Sequence, residues 1–296
     1  MMRDTGIGKV SGRWQADARR KGRMFTVERR QNGFSRAFGL AEVIYHATVR
    51  SIRKGHGNAI VSLALNILQT IIFVGAFWVM ITLMGIRPNA IRGDFVVYLF
   101  SGIFLYMTHT KAAGAVFGSE GPTSPMMLHA PMSTAVAIIS AAIGSLYLQV
   151  LSMLVVLYGY HVIFQPITIE DPVGALGMLL LAWFSGVAVG MVLLPIKPWF
   201  PSFAALANTI WSRANMIFSG KMFVANTLTF TMLSLFDWNP LFHLIDQARG
   251  FCFINYYPRY TSISYPVYVS LGLLMIGLMG EYYTRKNASI SWSARR

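Results

Sequence analysis

Long apolar stretches separated by short polar links occupy most of the chain after residue 58. Six such stretches are present, at residues 59 to 84, 95 to 117, 132 to 164, 173 to 194, 202 to 236 and 265 to 283. A helix needs about twenty apolar residues to cross a bilayer, and each stretch reaches or approaches that length. The pattern predicts an all-α, polytopic membrane protein with six transmembrane helices.

The fifth stretch, residues 202 to 236, differs from the others because it is too long for one simple span. It carries Arg213 and, near its middle, the sequence SGK at 219 to 221. Irregular backbone at membrane depth is tolerated where protein or a water-filled cavity satisfies its polar groups. We therefore predict a span to about Phe218, a turn at SGK, and a re-entrant outer segment through Leu235.

The sequence NPLFHLIDQARG at residues 239 to 250 has the end signals of a short helix. Asn239 can accept from free amides, Pro240 suits the first helical position, and Gly250 supplies a stop. Three polar side chains within it share one side of the predicted helix, namely His243, Asp246 and Arg249. About ten residues cannot cross a bilayer, so this helix continues the outer structure. Three following tyrosines are predicted to join an interfacial aromatic belt: Tyr256, Tyr257 and Tyr260.

The segment from residue 35 to residue 54 has amphipathic helical spacing before the first span. Its apolar positions recur every three or four residues, at Phe38, Ala41, Tyr45, Val49 and Ile52. Its opposite side is polar and mostly basic, with Arg36, His46, Arg50 and Arg53. We predict an interfacial helix along the inner membrane surface. The alternative is a cytosolic helix that packs on another domain.

Composition agrees with the membrane class, because 55% of the residues are hydrophobic and 12% are charged. The net charge of +14 is concentrated in residues 1 to 56, which hold thirteen of the twenty-five Lys and Arg residues. A basic leader before an apolar span is more typical of a cytoplasmic flank than of a nucleic-acid-binding segment. The lone Cys252 excludes an internal disulfide, and no Cys or His spacing predicts a metal site.

The distribution of charge predicts the orientation of the spans. With the N-terminus inside, eighteen basic residues fall on the inner side and four on the outer side, as the positive-inside rule requires. Both termini are then cytoplasmic. The predicted division is a basic, mobile leader at 1–34, an interfacial helix at 35–56, a six-span domain at 57–286 and a cytoplasmic tail at 287–296.

These features together resemble the permease subunit of type-2 ATP-binding-cassette exporters, and most closely the permeases that export capsular polysaccharide or O-antigen. The likeness covers residues 35 to 286. It rests on the span pattern, the amphipathic leader helix, the broken fifth region, YPRY, EYYTRK and the outer motif. The motif positions that match are Asn239, Pro240, Leu241, His243, Ile245 and Arg249. Asp246 replaces the more usual Glu, which keeps the charge but shortens its reach.

The resemblance implies a non-catalytic transport subunit in a bacterial inner membrane, with a lipid-linked glycan as cargo. It also implies a separate nucleotide-binding ATPase subunit that uses ATP and Mg, with no cofactor bound by this chain. Periplasmic or outer-membrane export components are further possible partners, and nucleic acid is not one. The residues agree, because GIGKVSG near the start lacks the spacing of a phosphate-binding loop.

Two elements are predicted to dock the ATPase: the amphipathic helix and the link between the second and third spans. The residues concerned are Arg50, Arg53, Glu120, Met126, Met127 and Leu128. Pro125 and Pro131 can bound a short helix in the link, and flexible Met side chains suit a moving cleft. The alternative is that the link residues merely lie among lipid head groups.

A glycan needs a polar or aromatic path across the membrane, because unpaired hydroxyls in hydrocarbon are costly. Aromatic side chains that can stack on sugar rings are available within the spans, at Trp78, Tyr98, Tyr106, Tyr147 and Trp211. Each is individually more typical of packing, and a ring would require two chains, so we expect a homodimer with two ATPases. Arg213 and Lys221 are also candidates for the path, with Glu120 or Asp237 as possible partners.

The outer motif has three interpretations. Asp246 could pair with His243 and Arg249 in a structural network that gates the exit, which we favour. Arg249 could instead contact glycan or lipid phosphate directly. A catalytic site is a weaker hypothesis, because no nucleophile or metal partner is identified.

Three other functions stay open for the whole chain. The first is export of another substrate, such as teichoic acid, a lipid or a drug. The second is an integral membrane enzyme that modifies glycans, which predicts polar groups clustered at one depth. The third is a secondary transporter, which predicts internal repeats and membrane-centre carboxylates that the sequence lacks.

Overall fold

The computed structural model of the protein describes residues 33–53, 58–83, 94–121 and 133–287, and within these ranges all regular structure is helical. Most of the predicted leader and tail lies outside the described residues, as does the link with Met126, Met127 and Leu128. The chain divides into two units, residues 1 to 42 and 43 to 296. In the first unit the described part is the beginning of one helix, residues 33 to 42.

Nine α-helices lie in the described ranges. They are α1 Gly33–Arg53, α2 Ala59–Leu83, α3 Phe95–Phe117, α4 Thr134–Ile163, α5 Pro172–Leu193, α6 Pro201–Phe218, α7 Phe230–Phe236, α8 Pro240–Cys252 and α9 Ser264–Asn287. Short 3-10 turns occur at Leu194–Ile196 and Ala225–Thr227. The all-α prediction is confirmed, and the predicted apolar stretches coincide with α2 to α6 and α9.

Four of these helices are long and apolar enough to cross a membrane: α2, α4, α9, and α5 with the turn that follows it. This is the character of a multi-pass membrane protein. Of the other two predicted spans, α3 is a 23-residue helix that carries His109 and Lys111, and α6 has 18 residues. Their lower apolar content or shorter length separates them from the four.

Successive long helices run in opposite directions, so the second unit has two distinct ends. At the α1 end, Ser62 at the start of α2 donates to the Ile52 carbonyl (3.2 Å), and Thr134 donates to Glu281 (2.6 Å). At the α8 end, the Tyr160 hydroxyl donates to Asp94 (2.9 Å). The start of α5 also lies at the α8 end. The backbone amide of its N-cap residue, Asp171, donates to the Phe251 carbonyl in the last turn of α8 (2.9 Å).

The centre of the assembly is α3, whose side chains are buried along most of its length. It packs most closely on α5, because glycines of α5 let the two backbones approach. A Cβ at Gly186 would lie 2.2 Å from the His109 carbonyl oxygen, and one at Gly190 would lie 2.7 Å from that of Ala113. The largest apolar core is formed by α3, α5 and α8 at the α8 end.

The outward sides of the long helices stay apolar and exposed, as at Ile60, Tyr158, Val173 and Met279. Such a surface suits contact with lipid or with a second membrane chain. In the second-unit part of α1, Val49 and Ile52 are half-buried, whereas Tyr45, predicted on the same apolar side, is exposed. That α1 lies on a membrane surface stays a prediction.

The α3–α5 contact yields the first prediction. Gly186→Ala should destabilise the folded chain in detergent by about 1 to 3 kcal/mol, because its methyl group forces the two backbones apart. Gly177→Ala is the matched control on the same helix, since a Cβ there meets nothing within 4 Å. Thermal unfolding followed by circular dichroism measures both variants. Equal melting temperatures for the two variants would contradict this account of the contact.

Candidate functional site

The segment from residue 219 to residue 263, here named the capping segment, closes the α8 end. It begins where α6 stops at Phe218, as predicted, and it contains α7 and α8. Gly220 has a φ of +69°, which L side chains rarely adopt, and a Cβ there would lie 2.3 Å from the Phe242 ring. Backbone conformation and packing therefore both require glycine at the break.

The start of α8 agrees with its prediction, whereas its end does not. Asn239 accepts from the Leu241 amide (3.0 Å), and its own amide group donates to Phe218 O (2.9 Å) and Asn215 Oδ1 (3.0 Å). The helix continues past Gly250 to Cys252. Gly250 is instead needed for close packing, because a Cβ there would lie 2.8 Å from the Pro258 ring.

Arg249 is fully buried and holds the turn after α6. Its Nη1 donates to the carbonyl oxygens of Gly220 (3.1 Å) and Phe223 (2.6 Å), and its Nη2 donates to that of Lys221 (2.6 Å). Its guanidinium carbon lies 4.2 Å from the centre of the Tyr98 ring. The planar fork of guanidinium donors suits such a cluster of carbonyls. One side chain of α8 thereby bonds three carbonyls around the helix break, of which that of Gly220 also accepts from the Phe223 amide (3.3 Å).

Asp246 forms hydrogen bonds with groups other than His243 and Arg249, the two partners expected from its spacing along the helix. Its Oδ1 accepts from the Ala225 amide (3.2 Å) and the Tyr256 hydroxyl (2.5 Å), and its Oδ2 accepts from the Thr261 hydroxyl (2.8 Å). It forms no ion pair with His243 or Arg249, because in the fold those side chains reach other loops. Asp246 thus joins α8 to both flanking stretches of the capping segment.

His243 ties the start of α8 to the residues before and after it. Its Nδ1 accepts from the Ser262 amide (3.2 Å), so the ring proton must be on Nε2. That Nε2 lies 2.7 Å from the Asp237 carbonyl oxygen and 3.2 Å from Oδ1 of the same residue. Both ring nitrogens are therefore engaged, and Asp237 is the acidic partner of His243 and not of Lys221.

The two candidate cations near the break have different surroundings. Lys221 is 2% exposed, donates to the Met216 carbonyl oxygen, and lies 4.0 Å above the centre of the Tyr106 ring. Aromatic rings and a carbonyl therefore replace the predicted acidic partner. Arg213 is exposed on α6 and forms no ion pair with another described residue. It is free to contact lipid, solvent or another chain.

The five aromatic candidates do not form one lining within a single chain. Tyr98 and Tyr106 are buried beneath the cations Arg249 and Lys221, whereas Trp78 and Tyr147 are about half exposed on the outward sides of α2 and α4. Trp211 is half-buried on α6. Tyr256, expected in an interfacial belt, is buried against Asp246, while Tyr257 and Tyr260 are exposed.

The sequence analysis did not predict a network of hydrogen-bonded side chains in the middle of the helix assembly. The Trp211 indole donates to His109 Nε2 (3.1 Å), so His109 carries its proton on Nδ1 and donates to the Ser185 hydroxyl (2.8 Å). Ser185 in turn donates to the Ala182 carbonyl (2.9 Å). A histidine within a predicted span was the available signal, because buried polar groups there need partners.

The proposed docking residues that are described lie at the α1 end, opposite the capping segment. Arg50 and Arg53 are exposed on the last turn of α1. Glu120 is half-buried just after α3. Arg50 and Arg53 are therefore accessible to a partner at the α1 end.

Burial also raises the pKa of two groups in the capping segment. The pKa of Tyr256 lies above its usual value because of burial first and the charge of Asp246 second. Burial raises the pKa of the Cys252 thiol to about 11, which Arg249 partly opposes. Among the described residues, no group of three or more His, Cys, Asp and Glu side chains is placed to hold a metal ion.

No protein-family model matches this sequence, and no curated protein is significantly similar to it.

The Arg249 contacts yield the second prediction. Arg249→Lys should destabilise the capping segment by about 3 kcal/mol, because an ammonium cannot reach all three carbonyls and leaves buried acceptors unpaired. Alkylation of Cys252 by a maleimide at pH 8 measures this, since the buried thiol is protonated and reacts only on opening. The variant should react at least tenfold faster. Arg259→Lys, at an exposed site, is the control, and equal rates for the two variants would contradict the role of Arg249.

Proposed function

We propose that this chain is the permease subunit of an ATP-driven exporter that moves a lipid-linked capsular or cell-surface polysaccharide across the bacterial inner membrane. A separate ATPase subunit supplies the energy and binds the ATP and Mg, and this chain binds no cofactor. Six helices span the membrane, namely α2, α3, α4, α5, α6 and α9. Both termini are cytoplasmic, so the capping segment faces outward.

The capping segment is the observation that carries this proposal. The chain breaks after α6, returns through α7 and α8, and bonds three carbonyls of the break with Arg249. Irregular backbone at membrane depth needs such compensation. A segment whose backbone is held by its own side chains can close the outer end of a conduit without help from lipid. The same residues carry the outer motif of the exporter permeases that this sequence resembles.

The surface of the chain supports a homodimer as the working unit. Two of the five aromatic candidates, Trp78 and Tyr147, are exposed, and Arg213 is exposed on α6. A conduit lined by these side chains requires a second copy against the outward faces of the helices. The apolar exposure of those faces fits such an interface.

The α1 end offers a surface for the ATPase. Arg50 and Arg53 end a helix that follows a strongly basic leader in the sequence. Glu120 lies at the same end, and the predicted link with Met126, Met127 and Leu128 comes after it in the sequence. Exposed charges at an interface steer a partner and set its orientation. The cations of α1 would therefore meet acidic positions around the cleft of the ATPase.

The third prediction tests capture of the partner. Candidate ATP-binding-cassette ATPase subunits are co-expressed with this chain, and the complex is purified by a tag on this chain alone. We expect an equimolar complex with vanadate-sensitive ATP hydrolysis. A chain that is stable yet captures no ATPase would overturn the export function. Such a result would favour an integral membrane enzyme that modifies glycans, which needs no ATPase.

Paired charge reversals locate the docking surface in the same assay. Arg50→Glu with Arg53→Glu should reduce ATPase recovery about tenfold, because two attractive contacts become repulsive. Arg259→Glu is the matched control, at an exposed site at the opposite end, and should leave ATPase recovery unchanged.

A transport assay identifies the cargo. Uptake of lipid-linked glycan into inverted vesicles distinguishes polysaccharide cargo from teichoic acid, other lipids or drugs.

The fourth prediction tests the orientation of the spans. In a Cys252→Ala background, Gln165→Cys and Tyr257→Cys should react with a membrane-impermeant maleimide on spheroplasts. Arg53→Cys and Lys286→Cys should react only after permeabilisation, because their end of the assembly faces the cytoplasm. All four sites are exposed, so differences in reactivity report sidedness and not burial. The reverse pattern would refute the assignment of both termini to the cytoplasm.

A further inference from the structure

A cavity of about 410 Å³ lies at the α1 end, between the last turn of α1 and the helices α2, α3 and α4. Its walls combine small residues with hydroxyl, amide and ammonium groups. The volume is within the range of small-molecule sites and far exceeds the space of one water molecule. Nothing in the capping segment contributes to it, so it is a separate feature of the chain.

Lys111 is the cation of this cavity. It is half-buried on α3, and its ammonium donates to the Gln69 side-chain oxygen (2.5 Å). No carboxylate of a described residue lies within ion-pair distance of it. An ammonium has three N–H donors, so two are left for a ligand. A half-buried cation without a counter-ion favours an anionic ligand.

Asn66 also lines the cavity that Lys111 lines, and its side chain is held by hydrogen bonds to α4. Its side chain is 7% exposed, and its Nδ2 donates to Gln149 Oε1 (2.7 Å) and Ser152 Oγ (2.9 Å). Those bonds fix the orientation of the amide. Its Oδ1 has no hydrogen-bond partner, although the residue lines the cavity. That oxygen is buried behind the cavity wall, so Asn66 holds the wall in place, and Lys111 is the charged group available to a ligand.

An apolar stripe leads away from the cavity along α2. Leu65 lines the cavity and is 41% exposed, and Leu68 and Ile72 continue the same side of the helix with 51% and 62% exposure. Their spacing of three and four residues keeps them in line. Since α2 is apolar enough to cross a membrane, this stripe faces hydrocarbon in a bilayer. A ligand with an acyl chain could leave its head group in the cavity and lay its chain on the stripe.

We infer that this cavity binds the head group of an anionic lipid, whose phosphate meets Lys111 and whose acyl chain lies on the α2 stripe. The lipid class is a phosphodiester without a compensating cation in its head group, such as phosphatidylglycerol. The cavity would hold such a lipid whether or not the chain is an exporter subunit. Failure to capture an ATPase would therefore leave the proposed lipid site intact. Failure to bind the lipid would likewise leave the proposed export function intact.

Native mass spectrometry of the full chain in a neutral detergent tests this site. Three probes are titrated: phosphatidylglycerol, phosphatidylcholine and inorganic phosphate. Phosphatidylglycerol should be retained best, because phosphatidylcholine has a compensating cation and inorganic phosphate has no acyl chain. Lys111→Met should weaken retention of phosphatidylglycerol about tenfold, since a charge-assisted hydrogen bond is lost. Lys286→Met removes an exposed lysine at the same end and should bind like the parent chain.

A second variant keeps the test decisive if Lys111→Met does not fold. Gly114→Leu fills the cavity while Lys111 stays in place, and a Cβ at Gly114 meets nothing within 4 Å. It should fold normally and lose the lipid. Retention at the parent level by either folded variant would overturn the site. Inorganic phosphate that competes as well as phosphatidylglycerol would overturn the lipid assignment and indicate a site for free phosphate.

Discussion

The guanidinium of Arg249, buried against three backbone carbonyls, is the contact on which the α8 end of this protein depends. The chain leaves α6 through a left-handed glycine, and the carbonyls of Gly220, Lys221 and Phe223 turn inward to Arg249. Without these bonds the turn would bury unpaired acceptors. Because Arg249 belongs to α8, the same contact positions the short helix against α3 and α5, and the large core closes around it.

The buried charges near this contact are kept apart and are not paired with one another. Arg249 and Lys221 use carbonyls and the rings of Tyr98 and Tyr106, while Asp246 accepts from an amide and two hydroxyls. A buried ion pair gives little net stability, because desolvation offsets attraction. Spreading the hydrogen bonds over separate loops instead lets each charge connect different parts of the capping segment. The α8 end is therefore held at many points.

The two ends of the assembly differ in what their charged groups contact. At the α8 end, Arg249, Lys221 and Asp246 are buried and bond to loops and helices of the same chain, although Arg249 Nε and Ser219 Oγ have no partner among the described residues, whereas the α1 end has exposed cations and the cavity beside Lys111. In the export function that we propose, an energy-supplying partner would act on the exposed cations of α1, and two chains would enclose the path.

The sequence by itself determined where most of the helices lie, because most boundaries depend on local chemistry, whereas the end of α8 does not follow the predicted stop at Gly250. Apolar runs of membrane length, the glycine break after Phe218 and the Asn239 cap are all signals within a few residues of the structure that they specify. Only the tertiary structure decided what the polar groups bind. His243 meets Asp237, Asp246 meets Tyr256 and Thr261, and Gly250 makes room for Pro258. Helical spacing states which side chains share a face, but it does not state which distant loop folds against that face. The cavity beside Lys111 has the same origin, since its walls come from four helices that meet only in the folded chain.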